Sequence, residues 1–171
     1  GFAWGGGEGG PFAAAGDVRD VGIGFDVGGR GDKCFNDGAE LGGVPAERDL
    51  GARVRYVEPG EGSDRESGLR LLAAEGMDLV IGVGFIFSDD ITVLAREYPN
   101  TKFADVDFSV PLDTAGNPLP LPPNLLALKF REEQGSFLGG AMAALVGKSK
   151  EVGFIGGMDI ALHPTFREGL R

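Results

Sequence analysis

The chain has 171 residues, 42% of them hydrophobic, and a formal net charge of -10 from 26 acidic and 16 basic residues. That is enough for one sizeable core and part of a second, and the negative field repels nucleic acid and anionic lipid, leaving a neutral or cationic small molecule as the better-matched partner. One cysteine, Cys34, and one histidine, His163, build neither an internal disulfide nor a His/Cys metal cluster, and no apolar run reaches the length of a membrane span.

Residues 1–16, "GFAWGGGEGGPFAAAG", read as a flexible leader or linker. "DVGIGFDV" is a short buried strand running into a Gly-rich turn. Residues 32–48 begin like a helix with Asp32 as N-cap, but Gly42, Gly43 and Pro45 oppose it, so a short or kinked helix is expected. "ARVRYVEP" alternates as a second strand. In "GSDRESGLRLLAAEG", Ser63 and Glu66 have capping-box spacing, and Leu69, Leu72 and Ala73 form an apolar stripe.

"DLVIGVGF" is a third strand, fully apolar. "SDDITVLAREYP" is a helix with acids in its first turn and a stop at Pro99. "TKFADVDF" is a fourth strand, residues 109–124 a Pro-rich loop, and "LLALKF" a fifth strand. A helix over 132–147 and a sixth strand over 151–157 follow, and "HPTFREGLR" starts another helix. The apolar residues of "FLGGAMAALV" and "VGFIGG" should be exposed, since their sheet partners are absent from the sequence.

Alternating strands and helices with short connections predict right-handed crossovers and a parallel sheet covered on both faces. Ligands of such sheets bind at the carboxyl ends of the strands. Here those ends are "FDVGG", "GVGF", "DVDF" and "IGGM". "GGRGDKC" lacks the Lys-Ser/Thr of a phosphate-binding loop, and Asp26 at the strand end would repel a phosphate. A carboxylate there suits hydroxyl or base N–H donors instead. Phe35 is either a ring-stacking residue or ordinary core, and Asn36 is either a donor–acceptor for a base edge or a solvated helix residue. Asp107 ends an apolar strand as Asp26 does. Cys34 reads as a small packing residue rather than a nucleophile, with no histidine near it in sequence.

The blocks "FDVGGRGDKCFND", "YVEPGEGSDRE", "LLAAEGMDLVIGVGFIFSD", "FREEQGSFLGGAMAAL" and "VGFIGGMDI" resemble the basic membrane protein family of ABC-transporter substrate-binding lipoproteins, which includes the purine nucleoside receptor. The likeness runs from about Val21 to the end. It implies a type I periplasmic-binding α/β fold, with a first parallel-sheet lobe over 17–130 and the start of a second lobe over 131–171. It implies a nucleoside bound in the interlobe cleft by Asp26, Phe35 and Asn36, with Phe35 as one of two aromatics sandwiching the base. Asp107 matches the aspartate ending the family's "K-F-A-I-I-D" strand, and Gly157 and Met158 lie in its "G-G-M" turn. The partner implied is an ABC permease, with no cofactor and no catalysis, at the periplasmic or extracellular membrane face through a lipid anchor upstream.

Three departures stand out. Cys34 replaces the motif's serine, "LGGVPAERDLG" lacks the expected regular helix, and the second stacking aromatic and later ribose-binding residues have no counterpart. Two other readings stay open. One is an α/β enzyme acting on a nucleoside or sugar, with Asp26 or Asp107 as general base, and the other is a truncated, non-functional product. Turnover of the ligand distinguishes the first, and a reading frame continuing past Arg171 would remove the second.

Overall fold

The computed structural model describes residues 19–58, 65–149, 151–156 and 162–170. They fall into two compact units that divide between Lys129 and Phe130.

The first unit is built on five parallel strands: β1 (Asp20–Gly24), β2 (Arg53–Val57), β3 (Leu79–Val83), β4 (Lys102–Val106) and β5 (Leu125–Leu128). Their order is β2-β1-β3-β4-β5, every pair parallel. Helices α1 (Phe35–Leu50), α2 (Arg65–Ala74) and α3 (Ser88–Glu97) make the first three crossovers. The last connection is the irregular 107–124 segment, pinched by one antiparallel bridge between Leu112 and Pro118.

Strand alternation sends residues to two different cores. On the α2/α3 face, Leu69, Leu72, Val80, Phe87, Ile91, Leu94, Phe103 and Phe108 form one cluster, all at most 1% exposed. Each such side chain contributes about 1.5–3 kcal/mol of transfer free energy. β1 offers only Gly22 and Gly24 to this face, because a Cβ there would come within 2.8 Å of Leu72 and 2.6 Å of Leu69. On the α1 face, Val21, Ile23, Phe25 and Val83 pack with Val54, Tyr56 and Ile81. Phe25 and Tyr56 stack with centroids 5.4 Å apart, and Arg30 lies over both rings while pairing with Glu40 and Glu58.

The expected stripe of Leu69, Leu72 and Ala73 is buried. Ser63 of the proposed capping box lies outside the described residues. α3 carries Asp89 and Asp90 in its first turn and ends just before Pro99. The seam after it is closed by Asn124, whose Nδ2 donates to the carbonyls of Ala95, Tyr98 and Thr101 at 2.9, 3.1 and 2.8 Å. At the opposite end of the sheet from the Gly-rich turn, Asp78 Oδ2 accepts from the amides of Arg19 and Asp20, which hold its carboxyl below the usual range.

Two expectations need correction. α1 is not short: it runs for 16 residues through Pro45 and ends on left-handed Gly51. Pro45 is exposed, so the Leu41 carbonyl that lacks its helical donor faces the solvent side and water can satisfy it. The start is secured by Asp32, which accepts from the amides of Cys34, Asn36 and Asp37. The expected sixth strand is not formed over 151–156. A parallel strand needs a ladder partner, and the described residues of the second unit comprise two helices, α4 (Glu132–Val146) and α5 (Leu162–Gly169), without a strand. The apolar residues expected to be exposed are so: Phe137, Leu138, Met142 and Leu145 on α4, and Ile155 beyond it.

Candidate functional site at the carboxyl ends of β1, β3 and β4

The strand order changes direction at β1. The chain moves from β1 outward to β2, then crosses back to place β3 on the other side. The two loops leaving β1 and β3 therefore diverge, opening a crevice at the topological switch point. Asp26 stands there, two residues past β1. Gly84, just past β3, faces it: a Cβ on Gly84 would lie 3.2 Å from Asp26 Oδ2. Gly84 has φ +114°, a conformation closed to other residues, so the Asp26 carboxyl has the space above β3.

The Gly-rich turn is shaped around Asp26. Its carbonyl accepts from Gly29 N at 2.8 Å, and its Oδ1 accepts from Val27 N. Its own amide donates to Asn36 Oδ1 at 3.0 Å. Asn36 is thus neither solvated nor free to turn: it is 1% exposed and its acceptor is engaged with the turn. Phe35, the first residue of α1, is 40% exposed and joins neither core cluster of the described residues. Cys34 is exposed, so the reading of it as a small packing residue is corrected. Its amide donates to Asp32 Oδ1 at 2.8 Å. The amides of Asn36 and Cys34 hold the Asp32 carboxyl below the usual range.

Asp107 follows β4 directly, in the left-handed region with φ +68°. β4 is separated from β1 by β3 alone, so Asp107 and Asp26 flank the same crevice at a spacing of about 10 Å, two strand separations. Asp26, Phe35, Asn36 and Asp107 therefore belong to one end of one sheet. Gly157 and Met158 lie outside the described residues.

One residue of this region was not anticipated. Asp105, on β4, is fully buried and hydrogen-bonds Ser88 of α3 at 2.9 Å. Burial, with a smaller push from the Asp107 charge, overcomes the opposing Ser88 hydroxyl and raises its carboxyl to about 8. The visible signal was a charge at an inward-facing position of "KFADVDF", where the family pattern carries isoleucine.

Among the described residues, no group of three or more His, Cys, Asp or Glu could hold a metal ion, and no helix is long and apolar enough to cross a membrane.

This is the α/β architecture of type I periplasmic-binding proteins. Residues 20–171 match the Bmp family model, described as ABC transporter substrate-binding protein PnrA-like, and the chain belongs to that family. It is 37% identical over 146 residues to an uncharacterized lipoprotein of Pyrococcus horikoshii, covering 82% of this chain and 34% of that protein. It is 33% identical over 138 residues to Basic membrane protein A of Borreliella burgdorferi, covering 81% and 39%. The crystal structure of an ABC transporter solute-binding protein from Aeropyrum pernix superposes with TM-score 0.70 at 30% identity, covering 89% of this chain and 41% of that one. The chain thus spans about a third to two fifths of the length of these relatives.

Proposed function

We propose that the whole protein captures a nucleoside, a purine nucleoside foremost, and delivers it unchanged to the permease of an ABC importer. The reading rests on one observation: Asp26 and Asp107 follow the carboxyl ends of β1 and β4, two strands apart in one parallel sheet, and Phe35 begins the helix that follows β1. The Asp26 and Asp107 carboxylates accept from sugar hydroxyls or base N–H groups. Phe35 stacks on one face of the base. Asn36 acts on the ligand through the Asp26 amide it holds. Binding without turnover separates capture from catalysis. Lipoprotein relatives support a lipid-anchored location on the outer face of the cell membrane.

Calorimetry on the whole protein with inosine, guanosine, cytidine and glucose tests this. Phe35→Ala should weaken nucleoside binding by about 1–3 kcal/mol through lost stacking, and Asp26→Ala by about 1.5–3 kcal/mol per lost charged hydrogen bond. Absence of nucleoside binding, or binding unchanged in both variants, would overturn the assignment.

A further inference from the structure

The Ser88 hydroxyl lies within hydrogen-bond distance of three groups: the Phe85 carbonyl at 2.8 Å, Asp105 Oδ2 at 2.9 Å and the Ser109 amide at 2.9 Å. A hydroxyl has one hydrogen to give and two lone pairs with which to accept. The Ser109 amide only donates, so it takes one lone pair. The Phe85 carbonyl only accepts, so it takes the hydrogen. The contact with Asp105 then needs a second hydrogen, and the carboxyl group is its source. With Asp105 ionised, the hydroxyl would have to turn to the carboxylate, leaving the Ser88 and Phe85 oxygens 2.8 Å apart with no hydrogen between them. Asp105 Oδ1 points the same way: it is buried and makes no hydrogen bond among the described residues. A neutral acid leaves only a carbonyl oxygen there, where an anion would leave unpaired charge.

We propose that Asp105 is a positioning residue carried as its neutral acid, donating to Ser88 and so clamping the turn that bears Asp107 onto the start of α3. The turn is gripped on both sides of Asp107: Asp105 two residues before it bonds Ser88 Oγ, and so does the amide of Ser109 two residues after it. The ionisable groups on the surrounding elements include Asp107 just past the same strand and Lys102 at its start, Asp89, Asp90, Arg96 and Glu97 on α3, Arg65 and Glu66 in the first turn of α2, Asp26 past the end of β1 and Lys129 past the end of β5. Of these, only the Asp107 charge registers at Asp105, and it disfavours a second anion, as burial does. The inference rests on nucleoside capture only for what Asp107 does to a ligand.

Carbon NMR of the Asp105 carboxyl in this chain tests the clamp directly, with hydrogen exchange at the Ser109 amide alongside. The carboxyl should titrate near about 8, and Ser88→Ala should speed Ser109 exchange by roughly tenfold, the loss of one buried hydrogen bond. Asp105→Asn, whose amide can donate to the same hydroxyl, should leave that exchange near wild type. A carboxyl titrating near the ordinary value of about 4 overturns the clamp, as does Asp105→Asn releasing Ser109 as much as Ser88→Ala does. If both variants unfold, the wild-type titration decides alone. Inosine calorimetry on the whole protein on either side of that titration should show wild-type affinity falling with rising pH and the Asn variant holding. A titration near 8 with no inosine binding at any pH sustains the clamp and sinks nucleoside capture.

Discussion

Replacing Asn124 with alanine should destabilise the first unit out of proportion to its size. In an α-helix the Ala95 carbonyl would accept from the amide of residue 99, but residue 99 is proline and has none. Asn124 Nδ2 supplies the missing donor at 2.9 Å and also reaches the Thr101 carbonyl at 2.8 Å. The Tyr98 carbonyl keeps a donor in the Thr101 amide at 3.1 Å, so the loss falls on the other two. At about 1–3 kcal/mol for each buried acceptor left unmatched, the two together make Asn124→Ala cost about 2–6 kcal/mol. Asn124→Asp should cost more at neutral pH, because it sets an anion against three carbonyl oxygens. Urea unfolding of the chain measures both, with the slope against denaturant watched for a change in the unfolded state. A loss under about 0.5 kcal/mol for the alanine variant, the range of an unremarkable surface change, would refute the account of Asn124 as the donor that Pro99 lacks.

Pro45→Ala should stabilise the chain, by up to about 3 kcal/mol, by restoring a donor to the Leu41 carbonyl in an exposed helix interior; a drop in the unfolding midpoint would contradict it. Gly84→Ala should destabilise by more than about 1 kcal/mol, since φ there is +114° and the new methyl would meet Asp26 Oδ2 at 3.2 Å; thermal melts decide. Stability should also fall as pH rises from about 4 to about 8. The folded state holds the Asp105 proton up to about 8, whereas the unfolded chain releases it near 3.8. The slope is up to about 1.4 kcal/mol per pH unit, levelling above pH 8, and Asp105→Asn should flatten it. Equal slopes in the two proteins would refute the buried neutral acid. Asp32 and Asp78, held low by amide donors, act in the opposite sense, their contribution fading as the pH drops below about 4.

The sheet was legible because each strand is a short apolar run bounded by Gly, Asp or Pro, and strands separated by helices can only pair in parallel over short connections. α1 was misjudged because propensity counts Pro45 without knowing which side of the helix it occupies, and a solvent-facing break costs far less than a buried one. The sixth strand failed for a different reason. A β-strand is a relation between segments, and an apolar run holds no information on whether a neighbour is present. Asp26 and Asp107 could be read as strand-end acids, and the resemblance supplied their grouping with Phe35. The burial of Asn36 and the Ser88–Asp105–Ser109 contacts could not be read, because they depend on where separate turns meet. Asp105 and Asp107 are two residues apart, a spacing that strand alternation alone would place on one face; the left-handed backbone at Asp107, just past the end of β4, breaks that alternation.

The all-parallel pairing also bears on how the chain reaches its native state. β1, an interior strand, is made before its neighbours, yet it meets β2 about 33 residues later and β3 about 58 residues later. No hairpin can nucleate such a sheet, so every ladder must close a long loop before its hydrogen bonds form. Folding should therefore lie toward the slow end for a domain of this size, milliseconds or longer. Until β3 is synthesised, Val21, Ile23 and Phe25 lack the Leu79, Ile81 and Val83 they pack against, which leaves that apolar run open to other nascent chains.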